Sequence, residues 1–185
     1  IQEFKVGEDR KWLRKLAEDN YKVILPNKYE EGDYGSIIAM LLINKEIYKS
    51  YERMELAEDE LFTLRYTYGQ LTLNTQVKIR LLNLYIPQSF NILEKRKAQI
   101  KELWKKIIQE ARKCREINEY FVVLGDLNAF DGDKSENRES FKRLDDIMID
   151  VFEDKIKDKP DWGYTWVSKD VKTKDREIKR RLDYI

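Results

Sequence analysis

The apolar run Phe121-Val122-Val123-Leu124 stops abruptly at Gly125-Asp126-Leu127-Asn128. In extended geometry residues two apart share a side, so Asp126 and Asn128 can face one surface at a strand end. A carboxylate there can orient or deprotonate a water, and a neutral amide beside it can bond a phosphate oxygen without adding repulsive charge. Asp and Asn also close turns onto their own backbone, and the segment by itself leaves both readings open. Three more residues have chemistry to offer. Glu3 follows a short strand-like start and is either a carboxylate for a hard cation such as Mg²⁺ or a solvated glutamate. Asp183 lies between Leu182 and Tyr184 in a strand-like run, where a buried carboxylate needs a partner, with Arg180 or Arg181 at hand. Tyr85, just ahead of Pro87, is a packed core tyrosine or a hydroxyl donor to phosphate.

The rest of the composition narrows the chemistry. The 185 residues contain no histidine and one cysteine, Cys114. This excludes His-dependent triads, His-ligated zinc and internal disulfides from the residues present. Carboxylates, amides, Tyr and Lys remain. Lys and Arg total 36 against 35 Asp and Glu, a net charge of +1, and 42% of residues are hydrophobic, so one folded domain spanning 1–185 with a solvated surface is expected. The longest apolar stretches, such as Ile37 to Ile43, are too short to cross a bilayer, so no membrane association is expected. An intracellular setting, cytoplasmic or nuclear, fits the lone cysteine.

Periodicity indicates the elements that must position these side chains. Trp12, Leu13, Leu16 and Ala17 are spaced for a helix over Glu8 to Asn20. Tyr21 to Leu25, Tyr34 to Ile43, Leu61 to Tyr68 and Gln70 to Tyr85 read as a meander of strands. Between Ile92 and Asn118, Ile100, Leu103, Trp104, Ile107, Ile108, Ala111 and Cys114 make one helical stripe under a charged outer face, predicting a helix that covers a sheet. Phe121 to Leu124 suits a strand buried on both sides, and a helix is expected around Ser140 to Ile147. Tyr164 to Val167 and Arg181 to Ile185 are the last strands. Many strands with a few covering helices predict α+β layering.

In order along the chain, Gln2-Glu3, Asn83-Leu84-Tyr85-Ile86-Pro87, Gly125-Asp126-Leu127-Asn128, Tyr164-Thr165-Trp166 and Arg181-Leu182-Asp183-Tyr184-Ile185 resemble the endonuclease/exonuclease/phosphatase superfamily. Its DNase I-like nucleases, exonuclease III-type enzymes and non-LTR retrotransposon endonuclease domains share this series. The resemblance implies a two-sheet β-sandwich flanked by helices, four layers in all, with the site where strand ends converge. It makes Glu3 the ligand of Mg²⁺ or Mn²⁺, Tyr85 a donor to the scissile phosphate, Asp126 the group acting on the attacking water, and Asn128 a phosphate contact. Asp183 would hold a catalytic histidine. The family's first strand and its final Ser-Asp-His segment have no counterpart in this sequence, which leads to the expectation of a domain cut at both ends and weakly active or inactive by itself.

The implied reaction is metal-assisted phosphodiester hydrolysis, with DNA as the substrate. Lys172, Lys174, Arg176 and Lys179 follow Trp162 and Trp166, and a basic stretch beside aromatics suits a phosphate backbone and unstacked bases, or else is a surface hairpin. Two other functions are compatible with the sequence. One is a phosphatase or phosphodiesterase acting on a small phosphoester or phospholipid head group. The other is a non-catalytic interaction fragment that uses open sheet edges.

Overall fold

The computed structural model describes residues 4–5, 15, 18–26, 37–56, 65–87, 94–129, 136–150, 166–169, 177–180 and 183–184. At its centre is a mixed five-stranded sheet of β5 (Tyr48–Arg53), β6 (Tyr66–Leu73), β7 (Lys78–Tyr85), β8 (Tyr120–Asp126) and β11 (Asp183–Tyr184). The spatial order is β11-β8-β7-β6-β5. All neighbours are antiparallel except β7 and β8. A parallel pair needs a crossover, and the 23-residue helix α1 (Glu94–Glu116) provides it.

Strand β7 shows why the layers form. Leu82 and Leu84 are buried with Ile86 among the residues of α1, whereas Leu81 packs with the cluster on the opposite face. Alternation along the strand therefore sends even positions to the helices and odd positions, including Asn83 and Tyr85, to the other side. That side is covered by β2 (Tyr21–Ile24) paired with β4 (Leu41–Asn44), whose Ile24, Leu41 and Ile43 meet Leu71 and Leu81. The short pair β1 (Phe4–Lys5) and β3 (Ile37–Ile38) leads into this layer. The α+β sandwich expected from the sequence is observed, with helix, sheet and sheet as three described layers. Of the helix expected over Glu8 to Asn20 only the end is described, where the Asp19 N–H donates to the Lys15 carbonyl at 2.8 Å.

Helix α1 buries all seven residues of its stripe. It ends where Asn118 takes a left-handed φ of 55° and the Glu119 N–H reaches back to the Cys114 carbonyl at 2.8 Å, the closure that caps many helices. Beneath it, Glu110 accepts from the Tyr68 hydroxyl at 2.6 Å and pairs with Arg80, which also meets Glu119 at 2.6 Å. The second described helix, α2 (Glu136–Asp145), packs beside α1 through Phe141 and Leu144. No described helix is long and apolar enough to cross a membrane.

Three expectations need correction. Gln70 to Tyr85 is not one strand: a turn at Asn74 to Gln76, with Gln76 at φ 68° and Leu73 N–H bonded to the Val77 carbonyl, splits it between β6 and β7. Tyr34 to Ile43 is not continuous either, because β3 ends before Ala39 and β4 begins at Leu41. The basic stretch before Asp183 contains a strand of its own, β10 (Glu177–Arg180), paired antiparallel with β9 (Trp166–Lys169). The exposed edge strand β5, whose polar surface positions obscure any apolar alternation, was not expected.

Candidate active site

Register gathers the candidates. Asp126, the last residue of β8, is opposite Tyr85, the last of β7, and on its other side opposite Asp183 of β11. Because β7 and β8 run parallel, both end at the same edge of the sheet. The ladder continues one step further: the Tyr85 N–H donates to the Arg65 carbonyl at 2.8 Å, next to the Tyr66–Leu84 pair. Four adjacent strands thus end in one rung, Asp183, Asp126, Tyr85, Arg65. The Arg65 guanidinium lies 5.1 Å from the centroid of the Tyr85 ring.

Gly125 makes this rung possible. Its φ is +134°, and an added Cβ would come within 1.9 Å of the Leu84 carbonyl oxygen, so β7 and β8 could not close up beside Asp126 with any side chain there.

Beyond the rung the chain turns on a buried polar network. The Asn128 N–H donates to Asp126 Oδ1 at 3.0 Å, with Asn128 at φ 47°, so the turn read from the sequence does form. The Asn128 side-chain amide donates to the Ile86 carbonyl at 2.7 Å, while the Ile86 N–H donates to the Asp126 carbonyl at 2.8 Å. Behind them Asn137 of α2, fully buried, donates through Nδ2 to the Pro87 carbonyl at 3.1 Å and more distantly to the Asn128 carbonyl. Its Oδ1 accepts from Trp104 Nε1 of α1 at 3.1 Å. Both helices therefore hold the loop that carries Asp126 and Asn128.

The remaining sequence candidates divide. Glu3, Lys172, Lys174 and Arg176 lie outside the described residues. Phe4, which follows Glu3, pairs with Ile38. Trp166 is opposite Arg180, and Val167 opposite Lys179, so Trp166 and Lys179 occupy neighbouring rungs of one hairpin. Among the described residues no group of three or more acidic, His or Cys side chains gathers as a metal site. Sequence reasoning did not single out Arg65 or Asn137, and read Trp104 only as a member of the α1 stripe. Arg65 is twenty positions from Tyr85 and meets it only through the β6–β7 register. An amide on a helix, as Asn137 is, carries no sequence mark of its partners.

Comparison with family models and with curated protein sequences gives no match. Solved structures do match. TDP2 from C. elegans aligns at TM-score 0.60 and 18% identity over 99% of this chain, and an AP endonuclease from Archaeoglobus fulgidus at 0.67 and 17% over 99%. The 3′ phosphatase NExo from Neisseria, bound to product DNA hairpin, aligns at 0.65 and 16%. All belong to the endonuclease/exonuclease/phosphatase superfamily. The chain has the DNase I-like fold. It spans 52% of the C. elegans TDP2 chain and 72% of the Archaeoglobus chain. Within this DNase I-like fold, the described motif positions Tyr85, Asp126 and Asp183 occupy one rung.

Proposed function

We propose that this chain is a metal-dependent phosphodiester hydrolase acting on DNA, and a member of the endonuclease/exonuclease/phosphatase superfamily. One observation carries the reading: Tyr85, Asp126 and Asp183, far apart in sequence, share one rung at one end of a DNase I-like sheet. The structural neighbours support it, being by name an AP endonuclease and a 3′ phosphatase bound to a DNA hairpin.

The donor chemistry suits a hard divalent cation. Like charges at opposed register positions, as Asp126 and Asp183 are, destabilise a sheet unless a cation or proton offsets them, and Glu3 would add a hard oxygen ligand for Mg²⁺ or Mn²⁺. When bound, such a cation supplies charge neutralisation at the phosphoryl oxygens. The chain's own residues do the rest. Asp126, with one carboxylate oxygen anchored by the Asn128 N–H, has a fixed orientation from which to align the attacking water. Tyr85 donates its hydroxyl to the phosphate, and Asn128, its amide already steadied by the Ile86 carbonyl, contributes a neutral donor. By the family resemblance Asp183 would hold a histidine, a residue type this sequence does not contain. The hairpin of Trp166 and Lys179, with Lys172, Lys174 and Arg176, contacts the DNA backbone.

The test is nicking of supercoiled plasmid by the 185-residue chain in Mg²⁺ or Mn²⁺. Slow cleavage abolished by chelation and by Asp126→Asn is expected, because acid–base groups contribute orders of magnitude each. Cleavage indifferent to Asp126→Asn or to chelation refutes the reading, and robust turnover refutes the expectation that the chain by itself is weakly active or inactive.

A further inference from the structure

We infer that the surface at the opposite end of β8 from Asp126 is the interface of a two-fold homodimer. This surface has no part in the proposed hydrolysis.

Apolar exposure singles it out. Ile149, Tyr120 and Ile117 are the three most exposed large hydrophobic side chains among the described residues, at 78%, 68% and 51%. They come from three different segments, the chain after α2, the first position of β8 and the residue just past α1. Tyr120 and Ile149 line one open groove of about 480 Å³, as does Asn118, the neighbour of Ile117. The groove is apolar to its base, where Ala111 and Cys114 of α1 are almost wholly buried. Single apolar side chains are common on any surface, whereas exposed ones gathered around a hollow mark a contact surface.

Charge indicates what fills it. On the α1 side, between Ala111 and Asn118, the chain carries Arg112, Lys113 and Arg115 against Glu116 alone. On the side after α2, from Asp145 to Asp150, it carries three carboxylates and no cation. The three cations are exposed, and so are Asp145 and Asp146. Glu119, which also lines the groove, is engaged by Arg80 at 2.6 Å. A two-fold axis running between the two sides exchanges them, so the cationic side of each copy lies against the anionic side of the other. The same rotation brings the protruding Tyr120 and Ile149 of each copy over the groove of the second. Protrusions, hollow and both signs of charge on one patch make it self-complementary, the condition an isologous contact must meet. An unlike partner requires no such symmetry.

Position agrees with this use. Strand β8 begins at the patch and ends at Asp126, so a seven-residue strand, about 20 Å long, separates the interface from the candidate site. Pairing through this face leaves both candidate sites uncovered.

The experiment is sedimentation velocity of the 185-residue chain from low micromolar to submillimolar concentration, with thermal unfolding of each variant alongside. The wild type should pass from monomer to dimer and stop there. Ile149→Asp and Tyr120→Ser change side chains that bury little within one copy. Each should leave the melting temperature unchanged and raise the dissociation constant by about ten-fold or more. Ile47→Asp, at a side chain 50% exposed elsewhere on the surface, should do neither. The charge pattern has a test of its own. A chain carrying Arg112→Glu with Arg115→Glu has two acidic sides, and one carrying Asp145→Lys with Asp146→Lys has two basic sides. Each should stay monomeric by itself, and an equimolar mixture should regain the dimer. A wild type that is monomeric throughout, growth past the dimer, equal weakening by Ile47→Asp, or a mixture that does not associate overturns the inference.

Discussion

Asn137 is where one atom-level change should be felt most. Its side chain is fully buried and satisfies three groups: Trp104 Nε1 donates to Oδ1, and Nδ2 serves the Pro87 and Asn128 carbonyls. Asn137→Ala leaves the Trp104 N–H, on a side chain 1% exposed, with no acceptor from this network, a loss of about 1–3 kcal/mol. The Pro87 carbonyl loses a normal bond, worth about 1 kcal/mol net, and the Asn128 contact at 3.5 Å adds little. The expected destabilisation is about 2–4 kcal/mol, a large fraction of the ~5–15 kcal/mol typical of a domain. With a urea m-value of about 2 kcal/mol/M, the midpoint should fall by about 1–2 M. Urea unfolding read by tryptophan fluorescence and circular dichroism checks this. Asn137→Asp is the control, because it keeps an acceptor for Trp104 but replaces the donor that faces the Pro87 carbonyl. Burial and the facing carbonyl raise the new carboxyl's pKa in the fold above the ordinary ~3.9, and protonation restores a donor, so its deficit against wild type should shrink as pH falls through that raised value and level off below about 4. A loss under about 1 kcal/mol in Asn137→Ala, or a pH-independent deficit in Asn137→Asp, would refute the proposed network.

Two other perturbations have defined outcomes. Burial pushes the Glu110 carboxyl up, but hydrogen bonds from Tyr68 and Arg80 and the Arg80 charge outweigh it and set its pKa below the ordinary 4.5. The stability it contributes is therefore full above about 4.5 and lost as pH falls through the lower native value. Wild type should lose its advantage over Glu110→Gln in acid, and a gap constant from pH 7 to about pH 3 in urea unfolding would rule this out. Gly125→Ala should destabilise by more than about 3 kcal/mol, since its Cβ would overlap the Leu84 carbonyl at a positive φ of 134°; an unaltered melting temperature would contradict the close approach.

What the sequence revealed follows from the range of each interaction. The stripe of α1 was legible because burial imposes a period on neighbours within one element, and the run of β8 because a strand with layers on both faces reads as an unbroken apolar stretch, Val123 and Leu124 joining opposite clusters. The split at Asn74 to Gln76 was missed because apolar residues continue on both sides of a turn whose φ reversal falls on Gln76, not on a glycine. Strand β5 was missed for the opposite reason: at a sheet edge, four of its six residues are exposed, and alternation has little to report. At the candidate site, Tyr85, Asp126 and Asp183 were singled out because their types and neighbours form known short patterns, not because spacing revealed a shared rung. Arg65 and Asn137 belong to no such pattern, and only register and helix packing bring them there.

The interior polar residues explain how the two sheets keep a fixed alignment. Apolar faces alone tolerate sliding, because dispersion and burial are not directional. Thr67 and Asn83 are cross-strand partners on β6 and β7, and both are fully buried. Thr67 donates to the Ala39 carbonyl at 2.5 Å and Asn83 to the Met40 carbonyl at 2.9 Å, two consecutive groups in the gap between β3 and β4. Shifting β3 along the central sheet would break both bonds and strand buried polar groups, at a cost of several kcal/mol by typical values. The gap that interrupts the expected long strand is thus the point where the outer layer is pinned to the inner one. From it the alignment passes through Ile38 to its partner Phe4, the residue after Glu3. It also passes along β7 from Asn83 to Tyr85, two residues on and on the same side. The strand next to the proposed metal ligand and the strand carrying the proposed phosphate donor are therefore referenced to a single pair of hydrogen bonds, which is how a site split between two sheets can be held to one geometry.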